Sequence, residues 1–356
     1  MRSNGDVKSM SFQQLLVKGL LKLPASLLVK MSGGKPISID GNTMDPRMQF
    51  LMAQGMKAPA ITTLSPQDAR TATDEGLALL DAKPRKSVTI INRAIPGPDG
   101  NELHVRVYVP AENPMHKGQP MAGMVYYHMG GFVIGNLETC NTFCSILAED
   151  AHAIIVSVDY RLAPENKFPA FVDDAVHAYD YISEHRRDFG ITSFQPLAVG
   201  GDSAGGMLSA VVCQEIKRKG GNQPKVQLLI YPAVDFADES GSMKSCGEVY
   251  PLTSDIMAWF AEQALSGEAD LEDLRASPMR EKDLSGLAPA IVATAGFDPL
   301  RDQGEAYAKR LSDADVKTTY ICYDTLTHAF TAMSGVLPPA KAACEELAVK
   351  LGRMLR

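Results

Sequence analysis

Residues 197–208 run Leu197-Ala198-Val199-Gly200-Gly201-Asp202-Ser203-Ala204-Gly205-Gly206-Met207-Leu208. The apolar start reads as a buried strand, and 204–219 reads as a helix. Met207, Leu208, Val211, Val212 and Ile216 share one helical face, Lys217-Arg218-Lys219 complement the negative C-terminal end, and Gly220-Gly221 stop it. Gly201-Asp202-Ser203-Ala204-Gly205 fits G-x-S-x-G at the junction. Alone the pattern is weak; between a strand and a helix it predicts a tight turn that lifts the Ser203 hydroxyl above a sheet. A serine that only capped the helix would not require glycine on both sides. Neither G-x-G-x-x-G nor G-x-x-x-x-G-K-[ST] occurs, which removes the commonest phosphate-binding readings of such a turn.

Outward from this turn, short apolar runs recur at 122–127, 153–158, 226–230, 290–295 and 317–322, with helical stretches between them. Near-continuous apolar strands alternating with helices imply a parallel sheet covered on both faces, hence an α/β fold. A hairpin precedes them, 87–94 and 102–109 joined by Pro96-Gly97-Pro98-Asp99-Gly100-Asn101, with Leu103, Val105, Val107 and Val109 facing in and His104, Arg106 and Tyr108 facing out. The count is eight strands. Residues 1–85 and about 235–285 break the alternation and are read as lids over the sheet edge, the second as an insertion in a catalytic domain spanning 86–356.

Thirty-five Lys+Arg against 42 Asp+Glu leave the 356-residue chain at −7, and no basic cluster suits nucleic acid. The six cysteines form no CxxC pair and read as buried thiols of a reducing compartment. Cys140 and Cys144 with His152 make too small a ligand set for zinc. Residues 1–35 are +5, with Arg2, Lys8, Lys18, Lys22, Lys30 and Lys35 against Asp6. Lys18 and Lys22 interrupt the Leu-rich segment, so neither a signal peptide nor a membrane span is expected, and the protein is placed in the cytoplasm. Phe12, Leu15, Leu16, Gly19, Leu20 and Leu23 instead suggest an amphipathic helix packed on its own protein, with a lipid surface as the second reading.

A serine hydroxyl needs a base oriented by a carboxylate. Of seven histidines, His104, His116, His152, His177 and His185 lie away from the carboxyl ends of strands, where open α/β sheets place their sites. His128 and His328 follow strands, and His328 is the better base. Asp298, directly after the run ending at Ala295-Gly296, is favoured as the acid over Asp302 and Asp324. Ser203, Asp298, His328 is then the chain order of the α/β-hydrolase triad. His128-Met129-Gly130-Gly131 follows the 122–127 run, and its glycines let two N–H groups point at an oxyanion.

These motifs together resemble the hormone-sensitive-lipase family of bacterial carboxylesterases, in the group with the G-D-S-A-G elbow. The resemblance spans about 120–331 and includes Asp159-Tyr160-Arg161-Leu162-Ala163-Pro164-Glu165, Tyr231-Pro232, Asp298-Pro299-Leu300-Arg301-Asp302 and His328-Ala329-Phe330. It implies an eight-stranded α/β-hydrolase with a helical cap built from the two irregular regions. It implies Ser203 as nucleophile, His328 as base and Asp298 as orienting acid, with oxyanion donors from Gly130, Gly131 and Ala204. The activity implied is hydrolysis of short-chain acyl esters without metal or cofactor. Met129 stands where the family has glycine, which is expected to reshape the acyl pocket. Arg161 and Glu165 are expected to pair structurally, and Asp202 to tune the turn by hydrogen bonding. Asn166-Lys167 departs from the usual pair with no assigned consequence. Amide cleavage by the same residues and a receptor without turnover are the alternatives, although family-like receptors lack the base. The edge strand 317–322 is a candidate surface for a homodimer.

Overall fold

The computed structural model describes residues 12–112, 118, 120–271 and 273–356. His116, Arg2, Asp6 and Lys8 lie outside the described residues. A two-stranded ribbon of β1 (Ser38–Ile39) and β2 (Asn42–Thr43) comes first, turned by Asp40-Gly41 with φ of 51° and 85°. An Asp-Gly pair with positive φ is the favoured two-residue hairpin turn, so this element was legible and was not anticipated.

The main sheet contains β3 (Val88–Pro96), β4 (Glu102–Pro110), β5 (Ala122–Tyr127), β6 (Ala153–Asp159), β7 (Leu197–Asp202), β8 (Gln227–Ile230), β9 (Ala290–Phe297) and β10 (Thr318–Thr327). Their spatial order is β10-β9-β8-β7-β5-β6-β4-β3. β4 pairs antiparallel with β3 and β6, and every other pair is parallel. The chain therefore winds both ways from β5, and β5 and β7 sit at the centre. Every residue of β5, β7, β8 and β9 is buried, which is why these strands lack polar alternation. One apolar cluster fills the side of helices Ala170–Glu184 and Ala204–Arg218, and a second fills the side of helices Asn141–Ala151 and Pro338–Leu355.

Three expectations are corrected. Arg106 and Tyr108 do not face solvent: Tyr108 is fully buried, and its hydroxyl donates to Asn141 Oδ1 at 3.0 Å, because a helix covers the second face of the hairpin. β9 and β10 run on to Phe297 and Thr327: in β10 the exposed Asp324 and Thr325 break the apolar run at the sheet edge, but the strand continues through the buried Leu326 and Thr327. In helix Phe12–Leu20 the inward residues are Val17 and Leu20, followed by the buried Leu21; Leu15 and Leu16 are 53% and 54% exposed. Among the described residues, no helix is long and apolar enough to cross a membrane.

Candidate active site

Ser203 stands at the carboxyl end of β7 with φ 56° and ψ −117°, a strained conformation for a residue with a side chain. The flanking glycines make the strain affordable by close approach. A Cβ on Gly205 would collide with the Tyr127 carbonyl, and one on Gly201 would collide with Gly205 itself. Helix Ala204–Arg218 starts at once, so the Ala204 N–H is one of the first-turn donors without an intrahelical acceptor.

The structure brings the three distant side chains together. His328 Nε2 lies 2.9 Å from Ser203 Oγ, and His328 Nδ1 lies 2.8 Å from Asp298 Oδ2. Asp298 is fully buried, and its other oxygen accepts the Leu300 N–H at 2.9 Å. The rival carboxylates are elsewhere. Asp302 accepts from the Ser242 N–H and Arg301 Nε, and Asp324 is exposed. His328 follows β10 directly rather than after a loop, and the Tyr231 ring is tilted against it at 4.6 Å between centroids.

His128 does not join this set. It is fully buried, stacks on Tyr160 at 4.3 Å, and its Nδ1 lies 2.7 Å from the Met129 carbonyl. A nitrogen facing a carbonyl carries the proton, and burial holds the imidazole pKa below its usual value, so the ring is neutral. It shapes the loop from beneath, where a Cβ on Gly135 would meet it at 2.8 Å. In that loop Gly130 and Gly131 have φ of 134° and 56°, and the Gly130 carbonyl accepts from Val133 and Ile134, closing a tight turn. Among the described residues, neither glycine N–H has a hydrogen-bond acceptor. The Phe260 ring from helix Ser254–Ala264 packs on Gly131 so closely that a Cβ there would overlap it. Met129 is buried in the cluster that includes Met48 and Phe330, away from the one that includes Phe260.

Asp202 is buried beside Ser203 and accepts hydrogen bonds from the hydroxyls of Tyr231 at 3.0 Å and Thr331 at 2.9 Å. Burial raises its pKa, against which those hydrogen bonds act. It thus ties the Ser203 turn to the segment after His328, as its expected hydrogen-bonding part required. Arg161 and Glu165 do not pair. Arg161 forks onto buried Asp174 and reaches Asp99, while Glu165 meets Arg70. Arg70 also donates to the carbonyls of Val133 and Ala163, both at 2.8 Å, pinning the glycine loop from helix Pro66–Leu80. Lys167, left without a consequence in the sequence, donates to the Glu262 and Leu265 carbonyls and so caps helix Ser254–Ala264. Arg70, Phe260 and Thr331 carry no short-range sequence signal that ties them to a site, whereas Tyr231 belongs to the Tyr231-Pro232 motif of the resemblance. Among the described residues no group of three His, Cys, Asp or Glu side chains converges as metal ligands, and Cys140 and Cys144 are core thiols.

A family model described as an alpha/beta hydrolase fold matches residues 124–332. Carboxylic ester hydrolase LipN of Mycobacterium tuberculosis is 40% identical over 323 residues, covering 88% of this chain and 84% of its own length. Ethyl acetate hydrolase of Pseudomonas putida is 35% identical over 279 residues, 78% of this chain and 86% of its own. An ester hydrolase from the metagenome of Lake Arreo, solved with a bipyridine phosphonate derivative, superposes with a TM-score of 0.80 at 40% identity, covering 85% of this chain and 94% of that one. With this fold, this site and relatives of this similarity, the chain belongs to the α/β-hydrolase family, as a carboxylesterase of the hormone-sensitive-lipase type.

Proposed function

We propose that the chain hydrolyses small carboxylic esters of short acyl chains, with Ser203, His328 and Asp298 as its triad. Ser203 Oγ attacks the ester carbonyl while His328 Nε2 takes the hydroxyl proton, and Asp298 holds Nδ1–H and stabilises the imidazolium. The oxyanion is received by the N–H groups of Gly130, Gly131 and Ala204, which have no acceptor among the described residues. His328 then protonates the leaving alkoxide, and water repeats the steps on the acyl-enzyme to release the acid. The observation that carries this reading is the pair of hydrogen bonds at 2.9 and 2.8 Å on opposite nitrogens of one buried imidazole.

The N-terminal helices up to residue 85 and the 235–285 region, set on the domain 86–356, form the cap in this proposal. Phe260 over Gly131 bounds the acyl side, which supports short chains, as does the name of the ethyl acetate-hydrolysing relative. Hydrolysis of aryl acetate and butyrate by the parent and by Ser203→Ala is the test. Turnover is expected to fall on the order of 10⁵-fold or more, and undiminished turnover in the variant removes Ser203 as nucleophile. A phosphonate ester is expected to label the peptide containing Ser203 and no other. The outer edge of β10, half-exposed at residues 318–323, is the surface assigned to pairing with a second copy. A single monomeric boundary in sedimentation velocity at micromolar chain removes that assignment.

A further inference from the structure

Nine large hydrophobic side chains are exposed among the described residues, and four of them fall within 15–31. Helix Ala25–Met31 buries Leu28 and packs on helix Pro46–Gly55. Its outer side carries Leu27, Lys30 and Met31 at i, i+3 and i+4, with Leu27 39% and Met31 45% exposed. Helix Phe12–Leu20 exposes Leu15 and Leu16 by more than half. Lys22, Lys30 and Lys35 are exposed in the same segment, and residues 12–35 contain four lysines and no Asp or Glu, in a chain whose net charge is −7. Apolar side chains mixed with lysines, and no acidic residue, are unsuited to self-pairing, because a two-fold interface would set lysine against lysine. They suit a surface that is apolar below and anionic above.

We propose that the outer face of helices Phe12–Leu20 and Ala25–Met31 docks on an anionic lipid bilayer. Leu15, Leu16, Leu27 and Met31 enter the boundary between headgroups and acyl chains, and Lys22, Lys30 and Lys35 meet the lipid phosphates. The face is rigidly joined to the ester site. Gln49, on helix Pro46–Gly55, donates to the Ser32 carbonyl at 3.2 Å and the Lys35 carbonyl at 2.8 Å. One residue earlier, Met48 Sδ accepts from Thr327 Oγ1 at 3.2 Å, next to His328. Docking therefore sets the catalytic cleft at a fixed offset from the lipid, where sparingly soluble esters concentrate. The inference is independent of the triad assignment.

The test is co-sedimentation of the full chain with vesicles of phosphatidylcholine alone and of phosphatidylcholine mixed with phosphatidylglycerol. Binding is expected to the anionic vesicles only, and to weaken with added salt. Each exposed lysine is worth about fivefold, so Lys22→Gln/Lys30→Gln/Lys35→Gln loses on the order of a hundredfold in affinity. Leu15→Ser/Leu16→Ser is expected to weaken binding at low salt as well. Both variants should hydrolyse a water-soluble aryl ester at the parent rate, which separates this inference from the ester reading. No vesicle binding, equal binding to both compositions, or binding undiminished in either variant overturns it. So does a concentration-dependent dimer that Leu15→Ser/Leu16→Ser abolishes, which would make the face a contact between copies.

Discussion

Ser203 Oγ and Asp298 Oδ2 address opposite nitrogens of the His328 ring, and the remaining Asp298 oxygen is occupied by the Leu300 N–H. That last contact decides what an amide would do. In Asp298→Asn the Leu300 N–H keeps the amide oxygen, so the NH₂ group faces Nδ1 and drives the imidazole proton to Nε2, where it can no longer accept from Ser203. We expect kcat to fall on the order of 10⁴-fold with KM little changed, measured by steady-state hydrolysis of an aryl ester. A loss below tenfold would remove Asp298 as the orienting acid. Asp202 is the companion case of a buried carboxylate placed for structure. Its two hydroxyl partners come from Tyr231, which leans on His328, and Thr331, three residues beyond it.

At the scale of elements, the glycine loop 129–135 is held from three sides: the His128 ring beneath it, Arg70 through the Val133 carbonyl, and Phe260 on Gly131. Phe260 reaches that position because helix Ser254–Ala264 begins on a Thr253 cap and ends on Lys167. Trimming the ring should open the acyl side without touching the reacting atoms. In Phe260→Ala the ratio of kcat/KM for octanoate to that for butyrate is expected to rise at least tenfold, the effect of accommodating about two of the four extra methylenes at about 0.8 kcal/mol each. An unchanged ratio would place the acyl boundary elsewhere.

For the molecule as a whole, Asp81, which follows helix Pro66–Leu80, fastens the N-terminal helices to the segment after His328. Its Oδ1 accepts from the Ala82 N–H at 2.8 Å and Ser334 Oγ at 3.1 Å, the latter in the segment after His328. Burial pushes this carboxyl up to about 7. An unfolded Asp titrates near 3.9, so between about pH 4 and 7 the folded chain holds a proton that the unfolded chain has released. The stability this group contributes is complete below about pH 4 and is lost as pH rises through about 7. Asp81→Asn cannot ionise, so its Tm relative to the parent should be more favourable at pH 8 than at pH 5 by several degrees. The same Tm difference at both values would refute the assignment.

The sequence by itself determined the sheet and the tight turn that carries Ser203. The apolar runs are continuous because both faces of β5, β7, β8 and β9 are covered, and the glycines around Ser203 are dictated by backbone approach within a few residues. Such constraints are local, so they leave a local pattern. The choice among Asp298, Asp302 and Asp324 rested on position alone, and distance settles the geometry by leaving only Asp298 against His328. Tertiary structure alone decided that Arg70 pins the glycine loop, that Glu165 meets Arg70 instead of Arg161, and that Leu15 and Leu16 face outward. Each depends on which remote element arrives alongside, and a helical or strand period records only that a face is apolar, not what covers it.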